Sequence, residues 1–152
     1  EGGRAEDAAA FLEGLLHDWR ASRSTADIVL ELDARPGAAR IVVERTLRQA
    51  LHNVLDNAAD ACRERVEVQA GCDAARLWLV VIDDGPGLGE PLRQRLGREV
   101  VSTKGEHGLG LGLYLAHSVL RRLGGTVDYE TPAAGGTRVH IEVPLAPLRA
   151  VG

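Results

Sequence analysis

The sequence predicts one α+β domain, and three observations carry that prediction. Two stretches, Glu44 to about Arg63 and Leu113 to Leu123, set apolar residues at helical spacing. Short runs rich in Val, Ile and Leu read as strands before, between and after them. Glycine clusters punctuate the chain at Gly85, Gly87 and Gly89, at Gly108, Gly110 and Gly112, and at Gly135-Gly136. The 152 residues suit a single domain with a real core, and no internal repeat or linker splits them. A net charge of −4 offers no general basic surface for nucleic acid. No apolar run approaches the ~20 residues of a membrane span. The chain has no Met and starts at Glu1, so the expectation is a piece cut from something longer. Cys62 and Cys72 make neither a metal pattern nor a disulfide framework. Cys62 falls on an apolar helix face and reads as core; a redox role for either thiol is the alternative.

Taken in order, Ala5 to about Arg20 reads as a short helix, with Phe11, Leu12, Leu15, Leu16 and Trp19 on one side. His17 in it reads as a solvated histidine at a helix end. Ile28 to Leu32 is a strand, Asp33 to Gly37 a turn, and Ile41 to Val43 a second short strand. The helix from Glu44 buries Leu47, Leu51, Val54, Leu55, Ala58 and Cys62 on one face. Beside that face runs a polar stripe of Asn53, Asn57 and Asp60, bordered by the small residues Ala50 and Ala61. Asparagine is a poor helix former, so two in mid-helix cost stability without a packing gain. Amide oxygens there suit a hard cation such as Mg2+, which keeps waters and takes phosphate oxygens as well; the plain alternative is a polar boundary row.

Val66 to Ala70 and Leu77 to Ile82 read as strands joined by a turn near Gly71-Cys72-Asp73, the second apolar on both faces at its end and so central in a sheet. Asp83-Asp84-Gly85-Pro86-Gly87-Leu88-Gly89 follows at once. A carboxylate at the end of a buried strand can accept from the amino group of a base, and glycines let a flat ring approach the backbone. A tight turn is the alternative. Pro91 to Gly97 reads as a short helix. Ser102-Thr103-Lys104-Gly105 reads as a mobile lid with Lys104 facing phosphate, or as a loop with a solvated lysine. Gly108-Leu109-Gly110-Leu111-Gly112 then feeds the helix that carries Leu113, Ala116, Leu120 and Leu123 and stops at Gly124-Gly125. A glycine-rich loop entering a helix N-terminus is a ready anion site, with unpaired N–H groups and no Cβ atoms in the way. Thr126 to Glu130 and Arg138 to Val143 alternate cleanly and read as a hairpin, and the tail from Ala146 reads as frayed.

These stretches together resemble the ATP-binding catalytic domain of sensor histidine kinases, within the GHKL ATPase superfamily. Leu51-His52-Asn53-Val54-Leu55-Asp56-Asn57-Ala58 resembles the asparagine box, Asp83 to Gly87 the first glycine box and Gly108 to Leu113 the second. Gly135-Gly136-Thr137, a strand and Pro144 resemble the closing motif. The Ser102-Thr103-Lys104 segment and the short gap between glycine boxes look most like the redox-responsive RegB/PrrB branch. The resemblance implies the Bergerat fold, an α+β two-layer sandwich with a mixed β-sheet covered by helices on one face. It implies residues 1–25 as the end of an upstream helical linker, 26–146 as the ATP-binding domain and 147–152 as a tail.

Carried over by position, Asp83 would accept from the adenine amino group, with Thr137 and Gly87 nearby. Asn57 would be the Mg2+ ligand and Asn53 would support phosphate or metal. The glycine boxes would bring Gly85, Gly87, Gly108, Leu109, Gly110, Leu111 and Gly112 to the nucleotide, and Asn53, Asn57 and Lys104 would carry the catalytic roles. One departure stands out: the phenylalanine box expected before the lid is replaced by Arg98-Glu99-Val100-Val101. The cofactors implied are ATP and Mg2+. The implied activity is transfer of the γ-phosphoryl to a histidine on a separate dimeric helical domain, with a response regulator downstream and the fragment itself monomeric. The implied location is the cytoplasmic part of a membrane-bound sensor. Gyrase-like and MutL-like hydrolases carry a Glu four residues before the metal Asn as base for water; this chain has Asn53 there, and an amide takes no proton from water near neutral pH. Two other readings stand beside this one, an anti-sigma-factor serine kinase and a non-catalytic nucleotide-sensing interaction module.

Overall fold

The computed structural model describes residues 4–23, 27–37, 39–86, 110–133 and 135–149. Its elements are β1 (Arg4–Asp7), α1 (Ala8–Ala21), β2 (Asp27–Ala34), β3 (Arg40–Val43), α2 (Arg45–Ala61), β4 (Arg65–Cys72), β5 (Arg76–Asp83), α3 (Gly110–Arg122), β6 (Thr126–Glu130) and β7 (Thr137–Pro144). A 3-10 turn at Ala146–Leu148 follows. Five strands form a mixed sheet in the order β2-β4-β5-β7-β6. β2 runs parallel to β4, and the other neighbours are antiparallel. β1 and β3 form a separate two-stranded antiparallel ribbon. The two strands flanking the Asp33–Gly37 turn therefore pair with other partners and not with each other.

The period-2 pattern decides which face is covered. Val66, Val68 and Ala70 of β4, Leu77, Leu79 and Val81 of β5, and Val139, Ile141 and Val143 of β7 are buried in one core with the helices. The intervening Trp78, Val80 and Ile82 stand on the other face and are only half-buried. The three helices among the described residues thus cover one face, as the sandwich architecture requires.

The α1 segment begins later than its periodicity suggests. Ala5 to Asp7 lie in β1, and the helix opens where the Asp7 carboxylate accepts from Ala10 N–H at 3.0 Å. Phe11, Leu12, Leu15, Leu16 and Trp19 enter the shared core. The expected linker at residues 1–25 thus contains a helix built into the domain. Trp19 Nε1 donates to Asp56 at 3.0 Å, and Arg23 pairs with Asp56 at 2.9 Å and Asp60 at 3.0 Å. Asp60, expected on the polar stripe, is therefore tied to Arg23, just past the end of α1. β4 continues through Gly71 and Cys72, because both pair with β5 and the Trp78 ring lies where a Gly71 side chain would go. The turn follows at Asp73, whose carboxylate accepts from Ala75 and Arg76 N–H. The segment after Pro144 is anchored as well: Leu148 is buried and Arg149 bridges Ile41. It is packed over β3 where a frayed tail was expected.

Candidate functional site

Arg122 at the end of α3 donates to Glu44 Oε1 and Thr46 Oγ1 at the start of α2, both at 3.3 Å. The two helices pack along each other, so the Gly110 end of α3 lies toward the half of α2 that carries Asn57 and Ala61. The C-terminal end of α3 closes on a left-handed Gly124 (φ +84), with Gly125 N–H donating to Leu120 O and Gly124 N–H to Arg121 O. The last residue of β5, Asp83, lies at the same end as Ala61, since the Gly85 backbone abuts the Ala61 carbonyl so closely that a Cβ there would come within 2.2 Å of it.

Asp83 is only 5% exposed. Its Oδ1 accepts from Gly85 N–H at 2.8 Å. It faces Thr137, itself 7% exposed, across the β5–β7 register. Burial, with the neighbouring Asp84 charge adding to it, pushes the Asp83 carboxyl up from the usual range, and the backbone N–H groups of Gly85 and Thr137 pull it partly back. From above, Gly136 at φ +86 lies against the Asp83 carbonyl, where any Cβ would come within 2.1 Å. Only glycine meets both demands. A desolvated carboxylate held in one rotamer suits a base amino group, because the donor would favour the charged form that burial disfavours.

On α2, Asn53 and Asn57 are both half-buried. Gln49 Nε2 donates to Asn53 Oδ1 at 3.0 Å, one turn along the helix. That bond fixes which end of the Asn53 amide accepts, and it went unseen in the sequence because Gln49 belongs to no motif. The structure thus brings Asp83, Thr137, Gly85, the end of α2 that carries Asn57 and the start of α3 at Gly110 to one end of the sandwich, with Asn53 one turn further back at the middle of α2. Gly87, Lys104, Gly108 and Leu109 lie outside the described residues, as do the expected helix at 91–97 and the lid.

Two further features were missed. Asp84 was assigned nothing, yet its carboxylate accepts from Arg63 N–H at 2.7 Å and from Glu64 and Arg65 N–H at 3.2 Å. Desolvation opposes the charge there, but the three N–H donors outweigh it and hold the carboxyl below its usual range. His117 on α3 is 6% exposed; its ring stacks on Tyr129 of β6 at 5.2 Å and its Nε2 meets the Tyr129 hydroxyl at 2.8 Å. Burial, then the nearby Arg121, lowers the His117 pKa to about 4. Burial raises both thiols, first at Cys62 and likewise at Cys72, so neither has the thiolate character that redox chemistry needs.

Comparison with known proteins decides the family. Residues 42–147 match the family described as histidine kinase-, DNA gyrase B-, and HSP90-like ATPase. The chain belongs to that family. Within it, the chain is similar to the sensor protein RstB of Escherichia coli K12, 34% identical over 106 residues that make up 66% of this chain and 24% of RstB. It is also similar to the mycobacterial sensor histidine kinase MprB, 31% identical with a TM-score of 0.69 over 93% of this chain and 97% of that one. The nucleotide-free catalytic domain of histidine kinase ThkA, at 20% identity and a TM-score of 0.74 over 97% of each chain, shares the fold. The domain is an ATP-binding domain of the sensor histidine kinase type. It spans about a quarter of the length of RstB, 24%. Among the described residues no helix is long and apolar enough to cross a membrane.

Proposed function

We propose that this ATPase-family domain transfers the γ-phosphoryl of Mg2+-ATP to a histidine on a separate, dimeric helical domain of the same full-length protein, a response regulator being the later acceptor. The observation that carries the reading is the pairing of a buried base acceptor, Asp83, with an α2 edge that offers amides and no general base. Asp83 accepts the adenine amino group, with Thr137 facing it and Gly85 fixing its rotamer, and Gly87 is assigned to the same nucleotide pocket. Asn57 supplies a hard amide oxygen, the ligand type Mg2+ takes alongside phosphate and water. Asn53, its Oδ1 turned to Gln49, directs the donor end of its amide to phosphate oxygens. Gly110, Leu111 and Gly112 open α3 at its positive end, where backbone N–H groups suit phosphate; we assign Gly108 and Leu109 to phosphate binding with them and Lys104 to supplying a point charge. Bound Mg2+ neutralises charge on the transferring phosphoryl group, so the protein's task is to hold the nucleotide in line and add no base for water. The location we propose is the cytoplasmic part of a membrane-bound sensor, with residues 26–146 as the nucleotide-binding unit and α1 docked on it.

The test is incubation of the chain with γ-labelled ATP and a panel of dimeric phosphoacceptor domains. The expected result is acid-labile, alkali-stable phosphate on the cognate acceptor and slow hydrolysis without it. Acid-stable label on a serine substrate would favour the anti-sigma type, and ATP binding without transfer to any acceptor would favour a nucleotide-sensing module.

A further inference from the structure

The end of β5 is held to the end of α2 by a clamp that no nucleotide contact explains. α2 ends at Ala61, and the chain turns through Cys62 and Arg63 before entering β4 at Arg65. The backbone N–H groups of Arg63, Glu64 and Arg65 point into this turn, and the Asp84 carboxylate gathers all three, through Oδ1 and Oδ2 at 2.7 to 3.2 Å. Directly after Asp84, the Gly85 backbone lies against the Ala61 carbonyl, and Gly85 N–H holds Asp83 Oδ1 at 2.8 Å. The links run in series: α2 end to Asp84, Asp84 to Gly85 through the chain, and Gly85 to the Asp83 carboxylate. Asn57 sits one turn before Ala61 on the same helix.

We infer that Asp84 is a positioning residue for base recognition, fixing the Asp83 carboxylate relative to α2 and so setting the preference for a 6-amino purine. This rests on the proposed role of Asp83. Asp84 itself faces solvent, and its three partners are backbone N–H groups of the turn. Its contribution is geometric: with the clamp released, Gly85 loses its register on Ala61, the Asp83 rotamer loses its N–H anchor, and an acceptor displaced by about 1 Å discriminates poorly.

The test is the ratio of ATP to ITP affinity, measured by calorimetry on the 152-residue chain for wild type, Asp84→Ala, Asp84→Asn and Asp83→Asn. Both nucleotides share the phosphates and ribose, so a general loss of fold or phosphate grip lowers both alike and leaves the ratio unchanged. Asp84→Ala should lower the ratio about tenfold, the effect of one well-placed hydrogen bond, while ITP affinity stays within about twofold. Asp84→Asn keeps one acceptor for Arg63 and Glu64 and turns a donor toward Arg65 N–H, so its ratio should fall between the two, and it decides the matter if the alanine variant does not fold. A wild-type ratio in a folded Asp84 variant, or equal losses for ATP and ITP, overturns the positioning role. If Asp83→Asn keeps the wild-type ratio, the adenine role of Asp83 fails first and the inference with it; if Asp83→Asn loses the ratio and the Asp84 variants keep it, only the inference fails.

Discussion

At Asp83, burial and backbone hydrogen bonds pull the carboxyl in opposite directions, and burial wins. The ionised form is the stronger acceptor for the adenine amino hydrogen, and the protonated form gains a donor that suits the 6-oxo group of ITP. The ATP-to-ITP affinity ratio should therefore fall on acidification with a midpoint above that of an ordinary carboxylate, the triphosphate's own titration cancelling between the two nucleotides. A ratio flat from pH 7 down to about 4, the unperturbed range, would contradict the assignment. Asn57→Ala should weaken Mg2+-ATP at least about fivefold more than metal-free ATP, since the amide is assigned to the metal and not the base; equal weakening under both conditions would give Asn57 a structural role. Asp83 and Asn57 were legible because their residue types are costly where they stand, a carboxylate ending an apolar strand and an asparagine in mid-helix. Asp84, Gln49 and the reason for Gly136 were not. Each depends on a partner whose approach is set by the fold: the turn at 63–65, the rotamer of Asn53, and the carbonyl of Asp83.

Among elements, the contact of α3 with β6 makes the clearest pH prediction. His117 is held neutral against Tyr129, with a pKa lowered to about 4 from 6.5. Between those values the unfolded chain binds the extra proton, so stability is complete above pH 6.5 and declines as pH falls toward 4. The loss should be on the order of 2 kcal/mol once solvent screening is allowed for. Urea unfolding at pH 7 and pH 4.5 checks it: the paired variant His117→Phe/Tyr129→Phe, which removes both members of the ring contact together, should show a smaller difference than wild type. Equal differences would remove His117 from the acid response. The three described helices and the closing hairpin were legible from periodicity. The limits of β4 were not, because Gly71 reads as a turn residue and the Trp78 ring and the Asp33 carbonyl from the two neighbouring strands make a glycine fit mid-strand.

For the whole molecule, α1 is part of the fold. Its five large buried side chains, Phe11, Leu12, Leu15, Leu16 and Trp19, each contribute roughly 1.5–3 kcal/mol by burial, together comparable to the entire stability of a domain, about 5–15 kcal/mol. A chain beginning at residue 26 should therefore lack a cooperative thermal transition by circular dichroism; a sharp transition near that of the full chain would mean that the remaining core suffices. Periodicity showed this helix but not its docking, because a helix amphipathic for its own domain and one amphipathic for a partner carry the same stripe. The architecture as a whole was legible once four motifs stood in order, since each falls on one end of the sandwich: Asp83 closing β5, the amides on α2, the start of α3 and the Gly135-Gly136-Thr137 entry to β7. That convergence makes a single seat for ATP the central claim, and calorimetric titration of the chain with Mg2+-ATP, wild type beside Asp83→Asn, tests it most directly. The wild type should bind with one site and the folded variant should bind ATP at least about tenfold more weakly, because an amide that presents its N–H2 end to the adenine amino group, or strands it in a buried site, costs on the order of 1–3 kcal/mol or more. Unchanged affinity in a folded Asp83→Asn would contradict it.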